Sequence, residues 1–443
     1  MFQIPECLDE KFKRAVERVK DCNFFRVITH YDADGVSSAS IIFNALRREG
    51  KEIHISFLKD ISEENMKKML RGSQDCILTL DLGSSMVSLL ENYKNVIIID
   101  HHPPERDSEK ILHINPHLCN LSGSTDACGS TLSYIFSVYL NNENWKDYHA
   151  FFSGTIGDRQ HINGYSGLNK LVVNFLEENG VKKIEDISLE GPTVKDMLFF
   201  ATDPFIPGYT GNEENVLSIL KNLGISSDKN PKDLNEEEKT VLYSWIALQL
   251  IKRGIESDTI QALVIDKHFI ENYGMFDFTL SNYVDATARM NKQGLALLFL
   301  SGSLGKRDEI IDAWTQFKNI LIKELYNGLE NKIDMDNIQY FYVGEDSIAG
   351  SASGILMNYA LDRNKPVIAM HDSNGELHIS ARGTRALISK GVNLGTALKL
   401  CGEGNGGSGG GHDIAAGATI PKENVKNFLN CLDKAIGKQI KKT

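Results

Sequence analysis

The first part of the chain alternates between short apolar runs and segments that carry apolar residues at helical spacing. The run at 96–99, Val-Ile-Ile-Ile, contains no polar position, which is typical of a strand buried on both faces in a parallel sheet. Strands that alternate with helices indicate a doubly wound, mainly parallel α/β sheet. The predicted strands cover 24–29, 53–57, 76–80 and 96–99, and the predicted helices cover 8–23, 35–48, 63–70, 84–93, 125–140 and 144–156.

The middle of the chain is different, because prolines punctuate it and helical patterns replace the strand signals. From about residue 337 strands and helices alternate again, which predicts a second, smaller α/β domain. We therefore expect three regions, which cover 1–184, a mostly helical 185–335, and 336–443. The helical patterns of the middle region lie at 194–200, 213–223 and 236–253.

Composition narrows the class of protein. The net charge of −11 argues against indiscriminate binding to duplex nucleic acid. Acidic residues dominate 185–238 and basic residues dominate 363–443. Either a polyanion binds at the C-terminal region or both segments are only solvated surfaces, and charge alone does not separate the two. No apolar run approaches the roughly 20 residues that span a bilayer, and the N-terminus lacks an export pattern, so we expect a cytoplasmic protein without a membrane partner. The 7 scattered cysteines without a CxxC pair predict reduced thiols.

Acidic and imidazole side chains follow the predicted strands where these end. His30, Asp32 and Asp34 share one face after the first strand, because side chains alternate in extended chain. An aspartate at a strand end is more often a helix cap, but successive candidates at several strand ends favour a site. Ligands of open α/β sheets bind beyond the carboxyl ends of the strands. The further candidates are Asp81, Asp100, His101, His102 and, after a helical pattern, Asp158.

Carboxylates mixed with imidazoles predict a pair of divalent cations. The mixed ligands favour Mn²⁺, with Mg²⁺ as the alternative, because Mg²⁺ prefers oxygen and water. Two such ions about 3.5–4 Å apart can drive an in-line displacement at phosphorus. One carboxylate must bridge them, and Asp81, alone after a central strand, is the natural candidate.

The order and spacing of these motifs resemble the DHH phosphoesterase superfamily, which includes RecJ exonucleases, nanoRNases and manganese pyrophosphatases. The motifs are His30-x-Asp32-x-Asp34-Gly35, Asp81-x-Gly83, Asp100-His101-His102 and Asp158. The resemblance implies that His102 lies beside the phosphate. Asp100 is expected to orient a histidine rather than to touch a metal itself. The resemblance also implies one ion held by His30, Asp32 and Asp81, and another held by Asp34, Asp81, His101 and Asp158.

The C-terminal region resembles the DHH-associated substrate-binding domain. Arg382, in Ser-Ala-Arg-Gly, offers a bidentate fork to a phosphate. The segment 402–411 is either a flexible linker or a glycine-rich anion site, and the adjoining His412 and Ala-Ala-Gly sequence favour the anion site. The segment Ala-Thr-Ala-Arg-Met-Asn-Lys, which contains Arg289, resembles a segment of archaeal RecJ-like nucleases. Arg289 either faces substrate or forms an interdomain salt bridge. The glycines expected to contact substrate are Gly409, Gly410 and Gly411.

The leading hypothesis is a Mn²⁺-dependent exonuclease that hydrolyses single-stranded DNA or RNA from an end, in replication or repair. The second hypothesis is a phosphodiesterase for short oligonucleotides or cyclic dinucleotides. The length of the chain favours the exonuclease, whereas its overall acidity favours the phosphodiesterase. A third hypothesis is a replisome scaffold, because archaeal RecJ-like proteins are associated with the GINS replication complex. All the ligand positions are filled, so we expect catalysis even where scaffolding coexists.

Overall fold

The computed structural model of the chain describes residues 2–59, 61–72 and 76–440. They form two compact units, one from Met1–Asp186 with Val264–Phe317, and one from Ile187–Leu263 with Lys318–Thr443. The segment 185–335 therefore contributes to both units, and the division into three regions stays a prediction from the sequence. Within the described part of the chain, no helix combines the length and the apolar character needed to cross a membrane.

The N-terminal part of the first unit alternates strands and helices, as the apolar pattern predicts. Helix α5 begins later than expected, because a turn closed by the Asp126 carboxylate, which accepts from the Ser122 N–H, precedes it. Helix α6 also begins later than expected, because the 3₁₀ helix Asn142–Asp147 precedes it. The strands are β1 (Phe24–His30), β2 (Glu52–Leu58), β3 (Cys76–Leu80), β4 (Val96–Ile99), β5 (Leu112–Ile114) and β6 (Lys183–Ile187). The helices are α1 (Glu6–Lys20), α2 (Ala33–Arg48), α3 (Glu63–Met69), α4 (Val87–Leu90), α5 (Gly129–Leu140), α6 (Tyr148–Gly157) and α7 (Gly167–Glu178).

Strands β1 to β5 form a parallel sheet in the order β2-β1-β3-β4-β5. Every residue of β3 and β4 is buried, as their unbroken apolar runs predict. The strand order reverses between β1 and β3, and ligands of such sheets bind at this switch point, beyond the carboxyl ends of the strands. The predicted fold class is confirmed, while β5, only three residues long, was not predicted.

The middle of the chain is mainly helical, as predicted, but it also adds two strands that pack with β6 in the order β6-β7-β8. Polar residues interrupt the apolar pattern of β7, which hides the strand in the sequence. The elements are α8 (Val194–Phe199), α9 (Glu213–Leu223), α10 (Glu236–Ile251), α11 (Ser257–Gln261), β7 (Val264–Ile270), β8 (Met275–Phe276), α12 (Asp277–Arg289), α13 (Gln293–Leu300) and α14 (Arg307–Asn331).

The C-terminal part forms a mixed sheet in the order β13-β14-β12-β11-β10-β9. Its glycine-rich segment 402–411 runs from the end of α17 into the edge strand β13, which pairs antiparallel with β14, and is not a flexible linker. Gly411 has a φ of +131°, a conformation that favours glycine. The elements are β9 (Ile333–Asp334), β10 (Gln339–Tyr342), α15 (Asp346–Tyr359), β11 (Val367–Ser373), β12 (Glu376–Arg382), α16 (Arg385–Ser389), α17 (Leu394–Glu403), β13 (Ser408–Gly411), β14 (Ala415–Pro421) and α18 (Val425–Ile440).

The cysteines correct one prediction. Six of the seven form disulfides, with Cα–Cα distances of 6.0, 6.1 and 5.8 Å, so the expectation of reduced thiols is wrong for them. The partners lie 112, 54 and 30 residues apart, so local spacing carries no sign of the pairing. The pairs are Cys7–Cys119, Cys22–Cys76 and Cys401–Cys431, and Cys128 is free and buried.

A buried histidine, His268, contacts α12 and other parts of the first unit. The His268 ring stacks on Phe152 with centroids 4.3 Å apart. Its Nδ1 lies 2.9 Å from Asp277 and its Nε2 lies 3.2 Å from Glu177. Burial opposes protonation, but the two carboxylates raise the pKa of His268 above its ordinary 6.5. The charged ring therefore stabilises the fold at low pH, and this stabilisation decreases as pH rises through the raised pKa.

We predict that His268→Leu lowers the free energy of unfolding by about 3 kcal/mol at pH 6, because it leaves the buried Asp277 without its charged partner. The loss should shrink between pH 6 and pH 9. The control is His149→Leu, since His149 is also buried, bonds the Leu300 carbonyl at 2.8 Å, and has a pKa that burial lowers. Thermal unfolding over this pH range measures both, and a loss that grows with pH for His268→Leu would refute the assignment.

Candidate metal centre

The turn after β1 places two of the predicted residues side by side. Asp32 caps α2, since its Oδ1 accepts from the Gly35 N–H at 3.1 Å. Its other oxygen lies 2.9 Å from His30 Nδ1. Burial opposes ionisation, but the His30 ring and the Gly35 N–H hold the pKa of Asp32 below its usual range. Asp32 is thus both a helix cap and a member of the acidic cluster.

Asp81 follows β3 and lies between two histidines. Its Oδ1 is 3.1 Å from His101 Nε2, and its Oδ2 is 3.6 Å from His30 Nδ1. The residue is 1% exposed and has a φ of +56°, an uncommon backbone conformation for aspartate. Strained backbone of this kind is often found at functional sites. The two oxygens of one carboxylate therefore face two different imidazoles, as a bridging ligand requires.

Asp34, in the first turn of α2, directs its carboxylate toward the amino end of α5. Its oxygens accept from the Gly129 N–H at 2.6 Å and the Ser130 N–H at 2.8 Å, so unpaired helix amides hold the carboxylate. A Cβ on Gly129 would lie 2.8 Å from the Asp81 Cβ and 2.9 Å from Asp34 Oδ2, so only glycine fits this close approach. Burial, with the charges of Asp81 and Asp158, raises the pKa of Asp34 to about 8.

The residues after β4 have different surroundings. Asp100 is buried, and its Oδ1 accepts from the His102 N–H at 3.1 Å and contacts His102 Nδ1 at 2.8 Å. This contact fixes the ring of His102, whose side chain is 49% exposed. His101 is buried, and its Nδ1 lies 2.6 Å from the Gly123 carbonyl, so its Nε2 is directed at Asp81. Asp100 is arranged to orient a histidine, as the sequence suggests.

Asp158 follows α6 and completes the cluster. Its Oδ2 lies 3.9 Å from His101 Nδ1. Burial, with the charges of Asp81 and Asp32, raises the pKa of Asp158 to about 6. The buried thiol of Cys128 is a neighbour that the sequence did not indicate as part of this site, because nothing in its local pattern distinguishes it. Burial, with the charges of Asp34 and Asp158, raises the pKa of Cys128.

These side chains fit a pair of divalent cations. Several buried carboxylates at one sheet edge repel each other unless a cation neutralises them, and the raised pKa values of Asp34 and Asp158 express that repulsion. Mixed carboxylate and imidazole ligands suit Mn²⁺. Among the residues that the structure describes, three groups have ligand atoms that all lie within 4.8 Å of one another: His30, Asp32 and Asp81; Asp81, His101 and His102; and Asp34, Cys128 and Asp158.

Arg289 ends α12 in the same unit as this cluster. Its Nε donates to Asp285 Oδ2 at 2.7 Å, and this salt bridge lies within one helix. The charges of Asp285 and, more weakly, of Tyr31 and Asp32 raise the pKa of Arg289. Arg289 is therefore a fixed positive charge close to Asp32, and its contact with substrate stays a prediction.

The predicted anion-binding residues lie in the second unit, along β12 and β13. His378, Ser380 and Arg382 share one face of β12, and a Cβ on Gly350 of α15 would lie 2.9 Å from Arg382 Nη2. Next to them is a cavity of 430 Å³, where His378 Nδ1 lies 3.3 Å from Asp346. Neither Arg382 nor His412 lines this cavity, and the sequence did not point to His378 or Asp346. The cavity is lined by Asp346, His378, Ile379, Ser380, Ser408, Gly409, Gly410, Gly417, Ala418 and Thr419.

Comparisons with known proteins identify the family and the fold of the chain. Three family profiles match the chain: the DHH family, N-terminal domain, at residues 25–153, the DHH-CID domain at 190–264 and the DHHA1 domain at 336–438. An uncharacterized protein of Methanocaldococcus jannaschii, MJ0831, is 32% identical and is covered over 98% of each chain. The chain belongs to the DHH phosphoesterase superfamily, and its fold is RecJ-like.

Two solved structures share the fold. The RecJ structure of Thermus thermophilus in complex with Mn²⁺ superposes with a TM-score of 0.60 at 15% identity, over 99% of this chain and 56% of that chain. In sequence, that single-stranded-DNA-specific exonuclease is 30% identical over 23% of this chain and 17% of its own length. CDC45 from Entamoeba histolytica superposes with a TM-score of 0.65 at 12% identity, over 97% of this chain and 98% of that chain.

We predict that Asp158→Asn raises the melting temperature of the metal-free chain at pH 7.5. An aspartate with a raised pKa costs stability at pH values above that pKa, here about 6, and costs nothing below the ordinary 3.8. The same variant should lose most of the stabilisation by Mn²⁺, which for the wild type is about 2.7 kcal/mol at a free concentration of 100 times Kd.

The control for this prediction is Asp433→Asn in the second unit. Asp433 accepts from the Asn337 N–H at 2.7 Å and the Ile338 N–H at 3.2 Å. Its replacement should lower the melting temperature and leave the increment from Mn²⁺ unchanged. Thermal unfolding with and without Mn²⁺ measures both, and an Asp158→Asn variant that keeps the wild-type increment would contradict the proposed ligand.

Proposed function

We propose that this chain is a Mn²⁺-dependent exonuclease that hydrolyses single-stranded DNA or RNA from an end by a two-metal mechanism. The observation that carries the proposal is the Asp81 carboxylate, which directs one oxygen toward His101 and the other toward His30. Membership in the DHH superfamily and the RecJ-like fold support phosphodiester hydrolysis. The same resemblance supports a place in DNA replication or repair.

The residues divide into two ion-binding groups that share Asp81. His30 and Asp32 would complete one, while Asp34, His101 and Asp158 would complete the other, with Mg²⁺ as the alternative to Mn²⁺. When bound, two such ions activate a water and neutralise the charge that develops on the phosphodiester.

His102 is placed to contact the substrate. Its Nδ1 is engaged by Asp100, so its half-exposed Nε2 remains to donate to a phosphate oxygen. Arg289 adds a positive charge close to Asp32, and we assign it to the phosphate backbone. In the second unit Arg382 would hold a further phosphate by its fork, and Gly409, Gly410, Gly411 and His412 would line the strand-binding surface.

Two alternatives are retained. The cavity of 430 Å³ beside His378, with its small glycine-lined surface, favours a phosphodiesterase for short oligonucleotides or cyclic dinucleotides. The CDC45-like fold favours a scaffold that binds protein partners, of which GINS is the candidate from the sequence resemblance. The filled ligand positions argue for catalysis in either case.

Substrate length separates these functions. We predict that the chain with Mn²⁺ degrades an end-labelled 30-mer to mononucleotides, and that Asp81→Ala slows this by more than about 100-fold, since loss of a ligand costs more than loss of its hydrogen-bond partner. Gel analysis of 2-, 5- and 30-nucleotide substrates measures it. Degradation of only the 2-mer would instead support the short-oligonucleotide enzyme, and no degradation at any length would support the scaffold.

A variant of Arg382 tests whether this residue binds the single strand. We predict that Arg382→Ala raises KM for the 30-mer about tenfold with little change in kcat, because it removes a phosphate contact that substrate and transition state share. Arg385→Ala is the matched control, since Arg385 is an exposed arginine three residues away. Equal KM values for Arg382→Ala and the wild type would show that the strand is held elsewhere.

A further inference from the structure

Gln160 lies next to the acidic cluster and donates a hydrogen bond to one of its members, Asp158. It is 5% exposed. Its Nε2 donates to Asp158 Oδ2 at 2.7 Å and to the Gly123 carbonyl at 2.9 Å. The same Gly123 carbonyl receives His101 Nδ1 at 2.6 Å. One amide group therefore touches Asp158 directly and reaches His101 through a shared carbonyl.

The orientation of this amide is determined by a second buried amide. Gln160 Oε1 accepts from Asn169 Nδ2 at 2.6 Å, and Asn169 Oδ1 accepts from the Thr131 hydroxyl at 2.5 Å. Asn169 Nδ2 also donates to the Thr125 carbonyl at 3.1 Å. A flipped Gln160 would place its oxygen against a carboxylate and a carbonyl, which are both acceptors. The network therefore permits one orientation, with the Gln160 N–H groups toward the cluster.

We propose that Gln160 is a positioning residue that holds Asp158 and His101 in place for the same divalent ion. Asp158 carries a charge that Asp81 repels, and the Gln160 N–H offsets that repulsion from behind. The Gly123 carbonyl keeps the proton of His101 on Nδ1, which leaves the Nε2 lone pair for the ion. This inference rests on the metal centre of the proposed function and not on the identity of the substrate.

The test is a titration of the full chain with Mn²⁺ in the absence of nucleic acid, in which electron paramagnetic resonance measures the free ion. Gln160→Met keeps the side-chain length and removes both donors without adding charge. We expect its Kd for Mn²⁺ to rise by about 10–100-fold, the usual effect of losing a hydrogen-bond partner of a metal ligand. Activity is not needed for this measurement.

The matched control is Gln339→Met in the second unit. Gln339 is also buried and donates to the carbonyls of Asp362 at 2.6 Å and Lys365 at 2.9 Å. Its variant should lose thermal stability and keep the wild-type Kd, since no member of the acidic cluster is among these partners. If Gln160→Met does not fold, Asn169→Ser is the second variant. It removes the hydrogen bond from Asn169 Nδ2 to Gln160 Oε1 and leaves Gln160 itself unchanged. We then expect the Kd for Mn²⁺ to rise about tenfold.

The outcomes are distinct. A Gln160→Met or Asn169→Ser protein that binds Mn²⁺ as tightly as the wild type would overturn the role of Gln160 while the metal centre stands. An equal loss of affinity in Gln339→Met would also overturn it, because the effect would then reflect general destabilisation. A wild-type chain that does not bind Mn²⁺ would remove the metal centre itself, and this inference with it.

Discussion

The burial of several carboxylates at one edge of a parallel sheet is the constraint on which the rest of the site depends. Asp34 and Asp81 are almost fully buried, with 2% and 1% exposure. Asp158 lies near His101, which also lies close to Asp34 and Asp81. Helix amides and imidazoles relieve only part of their repulsion, as the raised pKa of Asp34 shows. Divalent cations would relieve the rest, and we infer that the arrangement exists to hold them.

The strand order determines which side chains meet, and the segments after the strands determine how closely these side chains approach each other. Strand order β2-β1-β3-β4-β5 brings the carboxyl ends of β1, β3 and β4 together at the switch point. The left-handed backbone of Asp81 and the absence of a side chain at Gly129 then allow close approach of the carboxylates. Next to them, Gln160 donates to Asp158, and Asn169 donates to Gln160.

Much of this could be predicted from the sequence, because buried parallel strands and the acids that follow them leave strong local patterns, as at β4 and His101. What could not be predicted depends on contacts distant in the chain. Cys128 and Gln160 carry no local pattern, and they gain a place in the site only through folding. The disulfides and the interleaving of the two units were hidden for the same reason.

The most direct test of the metal centre is anomalous X-ray diffraction from crystals of the full chain grown with Mn²⁺. We predict two Mn²⁺ peaks about 3.5–4 Å apart, one beside His30 and Asp32, the other beside Asp34 and Asp158, with Asp81 between them. A single peak at Asp81 would contradict the two-metal mechanism. The absence of any peak among these residues would contradict the metal centre as a whole.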